Sequence, residues 1–363
     1  MNKLVIIGNG FDLAHGLKTS YKDFLLWEIN EAFRTYKDHK IIKSPLFTIE
    51  SEDYIYNHKN PLVPFIFKSI DEFTAFLKEN VIDKKLMKVV YPYQFIKNLF
   101  GLVKNNWVDI EREYFRELVK VHSLDSIGLD SQTKLLTNLN DSVELIKIEL
   151  EKYLFSKFVG IPEKINEINN IINNDIYKGR LKSQCSTILL NFNYTKTINL
   201  YLNDYLRGEN VDVVNIHGQL KEKENPIIFG YGDESNDYYE KIEKLNQNEY
   251  LKHMKSFAYL QTANYRNLFE FLDKGDFEVY VIGHSLGLSD RLLFNHIFEH
   301  EKFKKVQLYF YEYENEEGDV ENDFFQKTQE LSRHFRKDAK HKMRKCIVPF
   351  NESKPLPQFK QQN

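Results

Sequence analysis

The sequence predicts an α/β fold, a mostly parallel sheet flanked by helices and carrying a large all-helical insertion. Three observations predict it. Short apolar runs recur that are too short for helices and too apolar for half-exposed strands, the pattern of strands buried on both faces. Four of these runs end in glycine, asparagine or histidine signatures rather than in ordinary turns. Between the first and the second of them lies a long stretch with apolar residues at steps of three and four.

Leu4 to Ile7 opens the chain as a buried strand, and Gly8-Asn9-Gly10 follows at once. Glycine allows a tight turn and lets a pyrophosphate approach backbone N–H groups at a helix start. Strand, glycine turn and helix form the first half of a Rossmann-like nucleotide unit. Gly16 comes later than the G-x-G-x-x-G spacing requires, so a plain strand-to-helix turn stays open as the other reading. Ser20 to Tyr36 reads as a helix capped by Thr19 or Ser20, with Asp23 in its first turn. Residues 37 to 62 are mixed and polar and read as a surface excursion.

Helices are expected over 64–78, 93–118, 130–155 and behind Pro162, which makes 37–175 the helical insertion or lid. The sheet pattern then resumes. Strands are expected at Ser186–Leu190, Val211–Ile216, Pro226–Phe229, Glu278–Ile282 and Val306–Tyr313, with a long helix or helix pair over Asn246–Leu272. Residues 1–36 and 176–350 together form the expected core, and 351–363 a flexible tail.

Composition narrows the function. A hydrophobic fraction of 42% is ample for a real core, and the net charge of −3 comes from interspersed acids and bases. No global basic field points to nucleic acid, although Arg333 to Lys345 is a local basic run that could meet one. Two cysteines cannot form a four-thiolate zinc site or a disulfide framework, which agrees with a reducing compartment. No run approaches the roughly 18 apolar residues needed to span a bilayer. A cytoplasmic protein without a metal or a membrane partner is expected.

The candidate site gathers at the strand ends: Gly8, Asn9, Gly10 and Phe11; Asn191 and Asn193; His217 before Gly218; and Gly283, His284 and Ser285. Open parallel sheets bind ligands just beyond those ends. A histidine suits proton transfer near neutral pH, and His217 is the candidate base, although it can equally cap a strand end. Asn191 and Asn193 can bind a ligand or serve as turn asparagines. Asp12 can accept from a ribose hydroxyl or act as a first-turn carboxylate. His284 faces the pocket or closes the turn. Asp290 reads first as an N-cap. Trp107 and Glu111 share a helix face, either as core and surface residues or as part of a lid whose carboxylate steadies a ribosyl cation.

Glycine turn, asparagine on a strand end, His-Gly and Gly-x-Ser-Leu, in this order, resemble the Sir2 family. Gly8, Gly10 and Gly16 match its glycines, Asn193 its asparagine, His217 its catalytic histidine and Gly283 to Leu286 its Gly-Thr-Ser-Leu. The wording Gly-Asn-Gly-Phe-Asp-Leu, Trp107-x-Asp109-x-Glu111, Asn-Phe-Asn-Tyr-Thr, His-Gly and Gly-His-Ser-Leu resembles the AbiH family of phage abortive-infection proteins more closely, over residues 4 to about 290. The zinc ribbon of the deacetylases is missing, Asp12 replaces a serine and Thr195 an aspartate, all of which point away from deacetylation. The resemblance implies an anti-phage effector that hydrolyses NAD to nicotinamide and ADP-ribose, with His217 and Asn193 catalytic. Other readings are a non-catalytic sensor of NAD or ADP-ribose and a toxin directed at RNA or another nucleotide. Expected partners are NAD or a related nucleotide, a phage-derived trigger or partner defence protein, and a second copy of the chain.

Overall fold

The computed structural model describes residues 1–35, 40–51, 56–57, 60–61, 66–101, 107–124, 128–157, 162–176, 185–202 and 211–359. The chain divides into two compact units. The first comprises Met1–Lys18, Phe158–Lys241 and Met254–Asn363, and the second Thr19–Lys157 and Ile242–His253.

The first unit is built on five parallel strands: β1 (Asn2–Ile7), β2 (Thr187–Asn191), β3 (Val211–Asn215), β4 (Phe277–Ile282) and β5 (Phe303–Tyr309). Their order across the sheet is β5-β4-β1-β2-β3. The direction of winding therefore reverses at β1, and ligands in open parallel sheets bind at such a reversal. The register sets Tyr309, Ile282, Ile7, Asn191 and Asn215 in one row, so the segments leaving all five strands start from the same edge.

The unbroken apolar character of β1 has a direct cause. Leu4 and Ile6 enter one core with Phe271, Leu293, Phe294 and Ile297, while Val5 and Ile7 enter another with Ile168, Ile172, Ile198 and Tyr201. Successive side chains of a strand point to opposite faces, and both faces are covered by helices. Helix α1 (Asn9–Ala14) leaves β1 directly, and Gly16 ends the turn behind it at φ +74°.

Pro226–Phe229 does not form the expected strand. Ile227, Ile228 and Phe229 are buried, but the segment crosses His217-Gly218, with the Ile228 N–H donating to the His217 carbonyl. Within the tail from Asn351, expected to be flexible, the described residues up to Phe359 make backbone hydrogen bonds. Phe310 donates to the Lys354 carbonyl, Leu356 to Phe310, and Phe359 to Ala14.

The second unit contains the helices Tyr21–Thr35, Ile70–Leu77, Gln94–Gly101, Trp107–His122 and Leu129–Lys157. It is not wholly helical. Ile41–Lys43, Thr48–Ser51 and Met87–Val90 form a three-stranded antiparallel sheet. Each strand places one apolar side chain inside, Ile42, Ile49 or Met87, too little to register as an apolar run. Phe24 and Trp27 of the Tyr21–Thr35 helix pack on Tyr153, which explains its place in this unit. No helix among the described residues is long and apolar enough to cross a membrane.

Candidate functional site

Two glycine turns, after β1 and after β4, lie against each other. The Gly8 N–H donates to the Ile282 carbonyl at 3.1 Å, and the Gly10 N–H to the Gly283 carbonyl at 2.7 Å. A Cβ on Gly8 would stand 2.6 Å from His284 Cα, and one on Gly283 would stand 2.1 Å from the Phe11 nitrogen. Gly283 also takes a φ of +67° that side chains rarely adopt. Glycine is required here because backbone meets backbone. The close approach at Gly8 and Gly10 is thus to the protein's own second loop.

The segment leaving β2 packs beside them. The Asn191 side-chain amide donates to the carbonyls of Asn193 and Thr195 and to Asn215 Oδ1, while its oxygen accepts the Asn193 N–H. Asn191 therefore closes an Asx-type turn, with its side chain committed to the backbone. That turn carries Asn193 to Gly8, whose carbonyl accepts its amide at 3.0 Å. It also carries Thr195 to Asp12, the Thr195 hydroxyl donating to Oδ2 at 2.6 Å. Asp12 is 1% exposed, and its Oδ1 meets no donor among the described residues. Burial pushes this carboxyl up to about 6, only partly offset by the Thr195 hydroxyl and then by Thr197, whose hydroxyl is 3.1 Å from that of Thr195, and Asn193.

His217 lies two residues beyond β3. Its Nε2 is 2.9 Å from Asp290 Oδ1 and 3.1 Å from the Tyr259 hydroxyl, and no group among the described residues bonds Nδ1. The same Asp290 oxygen accepts from Lys255 Nζ at 2.9 Å and from Tyr259 at 3.2 Å. Burial drives the Asp290 carboxyl upward, but the Lys255 ammonium and then His217 outweigh it and hold it well below the usual range. The N-cap reading of Asp290 is corrected. It precedes the helix Arg291–Glu299, yet its side chain makes no capping bond and is the acceptor of the buried cluster instead.

Phe192 joins the parts. Its ring is 4.9 Å from that of His217 and 4.4 Å from that of His284. His284 Nδ1 accepts the Leu286 N–H, so it closes its own turn, and burial lowers the imidazole to about 3. Ser285 is exposed, Asn9 is half-buried, and Phe11 belongs to the core, its ring 4.7 Å from that of His15. Trp107 opens its helix in the second unit, with its side chain outside the described residues, and Glu111 is buried in the same helix.

Lys255, Tyr259, Thr197 and Phe192 go unmarked as site residues by the sequence reading. Lys255 falls inside an expected helical stretch, where a lysine normally reads as a solvated face; here its side chain is fully buried. Among the described residues, no group of three or more His, Cys, Asp or Glu is placed to hold a metal ion. What this cluster can do is proton chemistry. It offers an imidazole braced by a carboxylate, a second carboxyl near neutrality and an asparagine, at one edge of a parallel sheet.

A family model described as bacteriophage abortive infection AbiH matches residues 4–313. A search of curated proteins finds no match.

Proposed function

Since the chain belongs to the bacteriophage abortive infection family AbiH, we propose that it acts in that defence as an NAD glycohydrolase on a Rossmann-like, Sir2-like core. The observation carrying this reading is the meeting of Gly8, Asp12, Asn193, His217 and His284 at the edge where the winding of the sheet reverses. The buried Asp12 Oδ1, without a hydrogen-bond partner among the described residues, is suited to accept from a hydroxyl such as that of a ribose. Cleavage of the nicotinamide bond passes through an oxocarbenium-like state, and the pyridinium departs as a neutral base, so no strong acid is needed. Water attacks C1′ as the C–N bond breaks. His217 takes the water proton at Nδ1 and returns it to solvent, while Asn193 steadies the ribose or the water.

Purified protein incubated with NAD, alone and with phage lysate, is expected to release free nicotinamide. His217→Ala should lower turnover about 10²- to 10⁴-fold with folding retained. Asn193→Ala should lower it as well. Saturable NAD binding without nicotinamide release under either condition would replace the enzyme by a sensor of NAD or ADP-ribose, and a cut RNA would replace both.

A further inference from the structure

The buried cluster around Asp290 deepens the reading just given, and it rests on that reading only for its catalytic consequence. We infer that Asp290, with Lys255 as its counter-ion, is a positioning residue that fixes the tautomer of His217 through Nε2–H, so that Nδ1 is the nitrogen left to accept a proton. Four side chains converge on one oxygen or its neighbour, three of them from elements remote in sequence: His217 at 2.9 Å, Lys255 at 2.9 Å and Tyr259 at 3.2 Å, and the adjacent Ser289, whose hydroxyl lies 3.3 Å from Oδ2.

The fold spends several contacts on bringing them together. The Lys255 N–H donates to the Tyr231 carbonyl, the Leu292 N–H to the Gly232 carbonyl, and Arg291 reaches Asp233 at 3.3 Å. The segment Tyr231–Asp233 thereby ties the start of the Lys255 helix to the turn carrying Asp290. A Cβ on Gly232 would stand 2.7 Å from the Ser289 carbonyl oxygen, which shows how closely the two are drawn.

Burying an ammonium and a carboxylate is costly, and such pairs seldom raise stability over an apolar filling. A pair retained beside an imidazole has a further use. A carboxylate only accepts, so the nitrogen facing it carries the hydrogen and the lone pair lies on the other nitrogen. The same charge steadies the imidazolium that forms once Nδ1 takes a proton, while Lys255 keeps the carboxylate from taking that proton itself. Tyr259, stacked over the ring with centroids 6.1 Å apart and planes 13° off parallel, limits its rotation.

The test is a long-range proton–nitrogen spectrum of the full chain with labelled histidine, at pH 8.5, the His217 signals assigned with His217→Gln. The expected pattern has Nε2 protonated and Nδ1 bare. A protonated Nδ1, or an even mixture, overturns the inference. In the double variant D290L/K255M, which removes both charges together, the pattern should become a mixture. Nicotinamide release should fall about 10²- to 10⁴-fold in kcat, with KM within about twofold. A wild-type pattern or an unchanged kcat in that variant also overturns it. If wild-type protein releases no nicotinamide, the glycohydrolase reading fails, and the nitrogen pattern still decides the role of Asp290. If the double variant does not fold, the wild-type spectrum alone decides it.

Discussion

Asp12 has Oδ2 held by Thr195, while Oδ1 has no hydrogen-bond partner among the described residues, in a position 1% exposed. An ionised carboxylate there lacks the donors that water would supply. Its rise from the ordinary 3.8 to about 6 means that the folded state keeps a proton the unfolded state has released. The stabilising effect of that proton is complete below pH 3.8 and is lost as the pH climbs through 6. Wild-type protein is therefore expected to lose about 2.4 kcal/mol relative to Asp12→Asn between pH 4 and pH 8, since each pKa unit is worth about 1.4 kcal/mol and part of the shift is already spent at pH 4. Urea titrations of both proteins at the two pH values measure this directly. A constant gap between them would mean that Asp12 ionises alike in the folded and the unfolded chain, with no upward shift. The sequence offers Asp12 as a ribose acceptor or a helix carboxylate, and no spacing rule reveals that Thr195 will take one oxygen and leave the other without a partner among the described residues. That outcome depends on the turn closed by Asn191, a long-range packing fact.

At the level of elements, the strands of the first unit are legible for a clear physical reason. A strand covered on both faces has few polar positions, so β1, β2 and β4 each contain an unbroken apolar run, at Leu4–Ile7, Ile188–Leu190 and Val279–Ile282. The strands of the second unit bury one residue each, and Ile42, Ile49 and Met87 vanish among their polar neighbours. Lys255 is hidden for the converse reason. A buried lysine needs a carboxylate partner, and Asp290 lies 35 positions away. The glycine turns are legible as punctuation, but not as mutual contacts. That contact can be tested. Gly283→Ala forces a side chain into φ +67° and onto the Phe11 nitrogen, and should cost about 2 kcal/mol or more. Gly101→Ala, on the last residue of a helix with nothing within 4 Å of the new Cβ, should change stability by less than about 1 kcal/mol, in the stabilising direction. Equal denaturation midpoints for the two variants would show that the turns after β1 and β4 do not touch.

For the whole molecule, the distribution of buried titratable groups sets how each unit responds to acid. In the first unit, burial lowers His284 to about 3 and His334 to about 4 and also lowers His15 and His296, against one carboxyl among the described residues, Asp12, raised to about 6. In the second, burial lowers His253 to about 4 and raises Glu28 to about 7. A histidine lowered on folding contributes stability that is present above its ordinary 6.5 and is lost as the pH falls. A carboxyl raised on folding works the other way, binding in the native state a proton that offsets one gained by an unfolded histidine. Between pH 6 and pH 4.5 the described residues of the first unit are left with at least about one uncompensated proton, a loss of about 1.4 kcal/mol per pH unit or more, whereas those of the second unit are nearly balanced. Both tryptophans of the chain, Trp27 and Trp107, lie in the second unit. Their fluorescence should keep almost the same urea midpoint at pH 6 and pH 4.5, while far-ultraviolet circular dichroism, which sees both units, should gain an earlier transition at the lower pH. Glu28→Gln removes the balancing proton and should make the tryptophan midpoint acid-sensitive as well. If the two signals move together in the wild type, the units unfold as one and share a single proton balance.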